Sequence, residues 1–289
     1  RRPGIFPGRR REITAKGIVV SAGALGTNRL LANCKHSGSL TNISDQLGEL
    51  VRTNSESILA VTMPDDSLEV WNSVAISSSI HTDQDTHIEV VTYGQKGDSM
   101  RYLFTLLTGP GTRWTRVFSL LGNAVRRPLD FAKTLWPFGW SRRTIALLVM
   151  QSLDNAISFR AKKRWFSRKV RLSTEQNTDM PNPTYIEAGN KAAEWIAEQT
   201  GGLAQSMFLE AAANIPTTAH LLGGATIGRD AEHGVIDQNQ RLFGYENLLV
   251  CDGSAMPANP GVNPSLTITA MTERAMSKIP EKGSAGSPA

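Results

Sequence analysis

The chain has 289 residues, of which 40% are hydrophobic and 20% are charged, and its formal net charge is +5. This length and composition are typical of one large or two ordinary globular domains and exclude an intrinsically disordered chain. Its two cysteines, Cys34 and Cys251, are too few for a disulfide scaffold or a four-cysteine zinc site, and its apolar runs fall short of the ~20 residues that span a bilayer. We expect no metal site.

The N-terminal part of the chain predicts a strand followed by a helix and then a β-rich region. Residues 12–21 alternate and then become apolar, and AGALGTNRLLANC (22–34) predicts a glycine turn and a helix. Alternating patterns predict strands at 56–63, 74–82 and 86–94, and the run IALLVMQSL (145–153) predicts another strand. Because the chain lacks an initiator Met and begins almost directly with a strand, we expect that an N-terminal portion is missing from it.

Positive charge is concentrated between residues 113 and 171. This segment holds 14 basic residues against Asp130 and Asp154, and it carries four of the six tryptophans, namely Trp114, Trp136, Trp140 and Trp165. One interpretation is a solvated basic face with the tryptophans packed inward. The alternative is contact with an anionic membrane surface. Binding to nucleic acid is disfavoured because no nucleic-acid motif is present.

The last hundred residues contain the features that point to chemistry. A helix is predicted at 184–202, ended by Gly201, and a short buried strand at 248–250 is followed by the turn Asp252-Gly253. Asn263 and Pro264 then suit the start of a final helix, and the tail 280–289 has a low-complexity composition typical of disorder. A turn after a strand beside a free helix N-terminus favours a negatively charged ligand, and the alternative is an ordinary capped helix.

Two side chains stand out as candidates before any family is considered. His220 lies just before the pair Gly223-Gly224, and Glu89 lies inside a β run, where a carboxylate is unexpected unless it is paired or exposed. Each also has a structural interpretation, as a core or surface histidine and as an outward strand residue. His81 and His87 are interpreted as surface residues. The chain contains no G-x-G-x-x-G, P-loop, G-x-S-x-G or H-E-x-x-H motif.

The motifs of the chain, taken in order, resemble those of a known family. HLLGGATIG (220–228), GYENLLVCDGS (244–254) and GVNPSLTITA (261–270) resemble the C-terminal signature of the glucose–methanol–choline (GMC) flavin oxidoreductases, and GIVVSAGALGTNRLL (17–31) is similar to the middle signature of that family. The cholesterol oxidase branch is the most similar. The resemblance is strong over 17–53 and 215–279 and weaker but collinear between them.

The resemblance implies FAD as cofactor and the oxidation of an alcohol whose hydride passes to flavin N5, with O2 or another acceptor reoxidising the flavin. The expected substrate is a sterol or similar hydrophobic alcohol, and no nucleic acid is expected as a partner. The implied catalytic residues are His220, Asn263 and Glu89. The implied cofactor-binding residues are Ala22, Gly23, Asp252, Gly253, Asn263, Pro264 and Ser265.

The implied fold class is mixed α/β: the C-terminal part of a Rossmann-like FAD-binding domain with an inserted β-sheet substrate domain covered by helices. The expected bounds are 1–48 and 215–279 for the FAD-binding domain and 49–214 for the substrate-binding domain. Because the glycine-rich dinucleotide fingerprint of the family is absent, we expect the chain alone to bind FAD poorly and not to turn over. The alternatives are a GMC dehydrogenase with another electron acceptor and a non-catalytic lipid- or membrane-binding remnant. A cytoplasmic or peripheral membrane location is expected.

Overall fold

The computed structural model of the chain describes residues 12–164, 167–176 and 179–281, with only the backbone of 163, 164 and 167–169. The fold is mixed α/β, as predicted. The strands are β1 (Ile18–Val20), β2 (Val51–Arg52), β3 (Ser57–Thr62), β4 (Ile76–His81), β5 (Thr86–Thr92), β6 (Phe104–Leu106), β7 (Thr144–Gln151), β8 (Ile157–Arg164), β9 (Ser167–Gln176), β10 (Leu203–Met207), β11 (Leu222–Gly223) and β12 (Leu248–Val250). The helices are α1 (Gly23–Ser37), α2 (Arg113–Arg126), α3 (Pro128–Leu135), α4 (Trp140–Arg143), α5 (Glu187–Thr200), α6 (Phe208–Ala213) and α7 (Ser265–Met276). None of the described helices is both long and apolar enough to span a bilayer.

The two ends of the described chain meet in a small parallel pair of strands. β1 pairs with β12 in the register Ile18 to Leu248, and the Cys251 N–H donates to the Val20 carbonyl at 3.0 Å. β1 is much shorter than the predicted strand 12–21, because its partner offers only three residues to pair with. Buried side chains from both chain ends form one core here: Val20, Leu31, Ile43, Ala225, Val235, Ile236, Leu242, Leu248, Val250 and Ala255.

The middle of the chain forms a six-stranded antiparallel sheet in the order β4-β5-β7-β3-β10-β6. Because side chains alternate between the faces of a strand, Ile88 faces α5 whereas Glu89 lies on the opposite face. α5 packs closely on its face of the sheet, since a Cβ at Gly189 would come within 2.4 Å of Val149 Cγ2. The predicted strands at 56–63, 74–82, 86–94 and 145–153 correspond to β3, β4, β5 and β7.

A second sheet connects the two parts, in the order β11-β2-β8-β9. Its β8–β9 hairpin packs against α1, where the Val170 N–H donates to Asn33 Oδ1 at 2.9 Å. The sequence pattern did not predict this hairpin.

The first half of the basic segment, residues 113–143, folds into α2, α3 and α4 beside the large sheet, whereas its second half contributes β7 and most of the β8–β9 hairpin. Inward packing of its tryptophans is confirmed for Trp140, which is 1% exposed, and is wrong for Trp114 and Trp136, which are 67% and 62% exposed. Trp165 lies outside the described residues, as does residue 282 onward of the predicted tail.

Candidate active site

His220 is held by a buried carboxylate that the sequence did not indicate. Its Nδ1 lies 2.6 Å from Oε1 of Glu56, whose side chain is completely buried, while the other oxygen of Glu56 accepts from the Ala219 N–H. A carboxylate can only accept, so Nδ1 carries the proton and Nε2 is the nitrogen that is free to accept a hydrogen bond. Glu56 thereby sets both the tautomer and the orientation of the His220 ring.

Asn54 connects the His220 loop to the loop that precedes α7. Its Nδ2 donates to the Val262 carbonyl at 2.9 Å and packs 3.2 Å from His220 Nδ1, without a hydrogen bond there because both nitrogens carry hydrogens. The side chain is fully buried, and its Oδ1 has no hydrogen-bond partner among the described residues. Since Val262 is the residue before Asn263, Asn54 sets the distance between the two motifs that contain His220 and Asn263.

Asn263 and Glu89 are in direct contact. Asn263 Nδ2 lies 3.0 Å from Oε1 and 2.8 Å from Oε2 of Glu89, a residue that is only 5% exposed. The structure therefore brings the three implied catalytic residues into one polar network of two hydrogen-bonded pairs, Glu89 with Asn263 and His220 with Glu56, with Asn54 packed between them. No ion pair to Lys or Arg neutralises Glu89 among the described residues.

The interpretation of His81 and His87 as surface residues is wrong for one of them. His87 is 7% exposed, and its Nδ1 lies 3.8 Å from Glu89 Oε1 without a hydrogen bond. The exposed His81 ring stacks on it with centroids 4.4 Å apart, because the β4–β5 register places the two side by side. The i, i+2 spacing of His87 and Glu89, which puts both on one face of a strand, was the available signal.

The residues implied for cofactor binding lie at the turns after β1 and β12. Asp252 accepts hydrogen bonds from the Gly23 N–H at 3.0 Å, from the Ser254 N–H at 2.8 Å and from Thr27 Oγ1, so it ties the two turns together. Thr27 also accepts from the Ala22 N–H at 3.1 Å. Asp252 is thus occupied by protein donors and shapes the turns that carry Ala22 and Gly253. Thr27 is the partner that the sequence did not reveal.

The third implied group, Asn263, Pro264 and Ser265, stands at the start of α7. This helix begins at Ser265 and has no side-chain cap, so its first N–H groups are not satisfied by a capping side chain. The residues present fit a group that carries or gains negative charge, because an uncapped helix N-terminus favours an anion. A cleft of about 1090 Å³ lies between α1 and β9, and Ala22 forms part of its lining.

Comparisons with known proteins indicate the family to which this site belongs. The model of the GMC oxidoreductase family matches residues 160–272. The chain is 41% identical to cholesterol oxidase of Acinetobacter baumannii over 277 residues, which is 96% of this chain and 50% of that protein. It is 46% identical over 285 residues to cholesterol oxidase of Mycobacterium tuberculosis, covering 95% of this chain and 48% of that protein.

A more distant relative is 2-methyl-1,2-propanediol dehydrogenase of Mycolicibacterium austroafricanum, 25% identical over 277 residues, which is 93% of this chain and 48% of that protein. The chain spans about half the length of the curated relatives that it matches. The family model and the similarity along nearly the whole chain lead to the same conclusion: the chain carries the C-terminal domain of the GMC oxidoreductases, matched at residues 160–272.

Proposed function

We propose that the protein to which this chain belongs oxidises a hydrophobic secondary alcohol of the sterol class to the ketone, with FAD as cofactor and O2 as the final acceptor. The observation that carries the proposal is the network of two hydrogen-bonded pairs, Glu89 with Asn263 and His220 with Glu56, on either side of the buried Asn54. An alcohol oxidation needs a group that removes the hydroxyl proton and a group that orients the hydroxyl, and the network contains one of each.

FAD, when bound, would supply the acceptor for the hydride of the carbinol carbon. The residues that would hold it are Ala22 and Gly23 after β1, Gly253 after β12, and Asn263 to Ser265 at the start of α7. Asp252 supports them indirectly, through its hydrogen bond with Gly23.

His220, Glu89 and Asn263 have different roles in binding the substrate hydroxyl and removing its proton. His220 holds the substrate hydroxyl through a water, which donates one hydrogen to Nε2 and the other to the hydroxyl oxygen, because Nδ1 faces Glu56. Glu89 receives the hydroxyl proton, and Asn263 holds the Glu89 carboxylate through both of its oxygens. The burial of Glu89 keeps bulk water from competing for the same proton.

The sterol class is supported by similarity to two cholesterol oxidases, while the similarity to a dehydrogenase keeps another electron acceptor as the alternative. The test uses the complete, FAD-loaded enzyme. A 3-hydroxysterol should reduce the flavin without O2, and equimolar peroxide should appear in air. Flavin reduction without peroxide would favour the dehydrogenase, and no reduction by sterols or other alcohols would overturn the proposal.

A second observation supports contact with a lipid surface through the basic segment 113–171. α2 exposes an apolar row at Trp114, Phe118, Leu121 and Val125, with exposures of 67%, 68%, 57% and 80%. Steps of four, three and four residues place this row on one side of the helix. The row continues on α3 and the residues after it, and we call the whole the α2–α3 face: Trp114, Phe118, Leu121, Val125, Leu129, Leu135, Trp136 and Phe138.

Charge selects the kind of lipid surface. Residues 113–143 contain seven basic residues, of which Arg116 is buried, and a single acid, Asp130, which is paired with Arg127 and Lys133. Exposed aromatic and aliphatic side chains beside basic groups suit the interface of an anionic bilayer. We propose that the α2–α3 face rests peripherally on an anionic membrane, from which a sterol could be drawn.

Vesicle co-sedimentation of the complete enzyme tests the α2–α3 face. Trp114→Ser should weaken binding to vesicles with 30% phosphatidylserine about tenfold, and Arg126→Ala about fivefold, since each basic residue near an anionic surface contributes about 1 kcal/mol. The control is Trp195→Ser, because Trp195 is also 62% exposed but lies on α5 between Glu194 and Glu198. Equal binding by all three variants, or equal binding to neutral vesicles, would contradict this contact.

A further inference from the structure

A second buried carboxyl group lies close to the His220–Glu56 pair. Glu210, on α6, is 0% exposed. Its carboxylate accepts hydrogen bonds from Ser57 Oγ at 2.9 Å, from the Ile58 N–H at 3.3 Å and from Thr217 Oγ1. Burying a carboxyl group costs free energy that its hydrogen bonds must offset. A leucine or methionine would fill such a place at lower cost, so Glu210 calls for an explanation other than packing.

The donors to Glu210 belong to the two segments that hold the His220 ring. Ser57 is the neighbour of Glu56, which contacts His220 Nδ1 at 2.6 Å. Thr217 is two residues before Ala219, whose N–H donates to the other oxygen of Glu56. Glu210 thus ties residues 56–58 to residues 217–220, and these are the segments whose spacing decides how Glu56 meets His220.

We propose that Glu210 is a positioning residue for the alcohol oxidation, fixing the segments 56–58 and 217–220 so that His220 presents Nε2 in one orientation. The proposal rests on the proposed function. Glu210 acts through Ser57 and Thr217, since its carboxylate bonds to these residues and not to His220.

The charge of Glu210 is set by few neighbours. Burial is the largest influence and raises its pKa from 4.5 to about 7, while hydrogen bonds and the positive charge of Arg116 on α2 act in the opposite direction. β6 and β10, which also pack on α6, contain no charged residue. Arg101, in the 3₁₀ turn beside α6, donates to the Phe104 carbonyl. Glu56 and His220 are the next titratable groups along the hydrogen-bonded segments.

Because the pKa of Glu210 is near neutrality, its carboxyl group exists in two protonation states around pH 7, and its hydrogen bonds differ between them. The ionised carboxylate only accepts, and it is satisfied by the hydroxyls of Ser57 and Thr217 together with the Ile58 N–H. The protonated form must donate from one oxygen, so one of the two hydroxyls has to turn and accept. The hold on the 217–220 segment therefore differs between slightly acidic and slightly basic pH.

The test compares Glu210→Gln and Thr217→Val in the complete FAD-loaded enzyme. Two quantities are measured across pH 5–9: the limiting rate of anaerobic flavin reduction by substrate, and the NMR titration of the His220 ring, assigned with His220→Gln. Both variants should lower the limiting rate about tenfold with less than a twofold change in substrate Kd, because a small misplacement of a catalytic group mainly affects the chemical step. Both should shift the His220 titration, and Glu210→Gln should also lose an inflection near pH 7.

Thr134→Val is the matched control for Thr217→Val, because Thr134 is a 1% exposed threonine whose hydroxyl donates within α3, to Phe131. It should leave the limiting rate and the His220 titration as in the unmodified enzyme. If Glu210→Gln does not fold, the same two measurements on Thr217→Val and Ser57→Ala test the proposal, because each of these variants removes one hydrogen-bond donor to Glu210.

Two results separate this proposal from the proposed function. Lower thermal stability with an unchanged limiting rate and an unchanged His220 titration would reduce Glu210 to a structural residue. The titration needs no substrate, so a shifted titration in an enzyme that oxidises no alcohol would overturn the proposed function and leave the positioning of His220 by Glu210 intact.

Discussion

At the scale of single residues, the contact between Asn263 and Glu89 makes the sharpest prediction. Glu89→Gln should lower the rate of alcohol oxidation by about 10²–10⁴-fold, because an amide cannot take up the hydroxyl proton. The flavin should stay bound, since Glu89 lies on β5 and not in the turns after β1 and β12. Stopped-flow flavin reduction measures the rate and the visible spectrum measures the flavin. The control Glu187→Gln alters an exposed carboxylate paired with Lys191, and near-normal oxidation by Glu89→Gln would remove Glu89 from the role of base.

The pH dependence of stability gives a separate prediction for Glu210. Its folded-state pKa of about 7 lies above its ordinary value of 4.5, so the folded state binds this proton more tightly than the unfolded state does. The free energy of unfolding should therefore fall as pH rises from 4.5 to 7, by about 3 kcal/mol at most, and should change little above pH 7 on account of this group.

Urea unfolding of the enzyme at pH 5 and pH 8 checks this sign. Glu210→Gln should reduce the loss of stability between the two pH values, because the amide does not titrate. An identical loss in Glu210→Gln and in the unmodified enzyme would show that Glu210 titrates with the same pKa in both states.

The sequence motifs indicated His220, Asn263 and Glu89 as candidate catalytic residues, but they gave no indication of the residues that hold these side chains in position. Glu56 is the first residue of the predicted strand 56–63 and follows the polar residues TNS (53–55), so the pattern does not indicate its burial, yet Glu56 is 1% exposed. Its burial depends on the loop 217–220 folding back from more than 150 residues away. A contact of that kind leaves no periodic trace in one sequence, and the same is true of the contact between Asn54 and Val262.

At the scale of elements, the space around two helical glycines predicts opposite effects of a glycine-to-alanine substitution on stability. Gly189 lies on α5 against the large sheet, and Gly122 lies on α2. Gly189→Ala should destabilise the protein by about 1–3 kcal/mol, because its Cβ would lie 2.4 Å from Val149 Cγ2, and this outweighs the better helix propensity of alanine. Gly122→Ala, on α2, should stabilise by up to about 1 kcal/mol, since no atom lies within 4 Å of its Cβ position. Thermal unfolding measures both, and a stabilising Gly189→Ala would show that α5 sits farther from the sheet.

The elements that the sequence predicted are those with one apolar face. β3, β5 and β7 carry apolar residues on the face that packs against α5, β7 being apolar on both faces, and α5 itself ends at Gly201, which adopts a left-handed conformation. β8 was not predicted because ISFRAKKR (157–164) is charged over its second half and lacks an alternating pattern. It forms a strand because β9 and β2 supply its hydrogen bonds. α2 was not predicted either, for a different reason. The apolar residues of α2 recur with the spacing of a helix, but the many basic residues around them obscure that spacing in the sequence.

At the scale of the whole molecule, the structure supports the expectation that 1–48 and 215–279 act together, although the domain division itself remains a prediction. Among the described strands β1 pairs with β12 alone, Asp252 bonds to Gly23 and Thr27, and one core unites both segments. The network of Glu89, Asn263 and His220 then lies where this part meets the large sheet. The site therefore exists only when the two parts are docked correctly.

Hydrogen exchange can show whether the two parts open separately. Thr27→Val removes the donor to Asp252 and the acceptor of the Ala22 N–H at a fully buried position, which should cost about 1–3 kcal/mol. If the β1–β12 part is its own cooperative unit, the amides of Cys251 and Ile18, which donate to Val20 and Asn247, should exchange about tenfold faster or more.

The amides of β3 and β7 should keep their exchange rates in Thr27→Val. Thr144→Val is the reciprocal variant, because Thr144 Oγ1 lies 2.8 Å from Thr62 Oγ1 between β7 and β3 and is equally buried. It should accelerate exchange in β3 and β7 and leave Cys251 and Ile18 unchanged. Acceleration of both sets of amides by both variants would mean that the chain opens as a single unit, and the predicted boundaries at residues 48 and 214 would then not separate independent folding units.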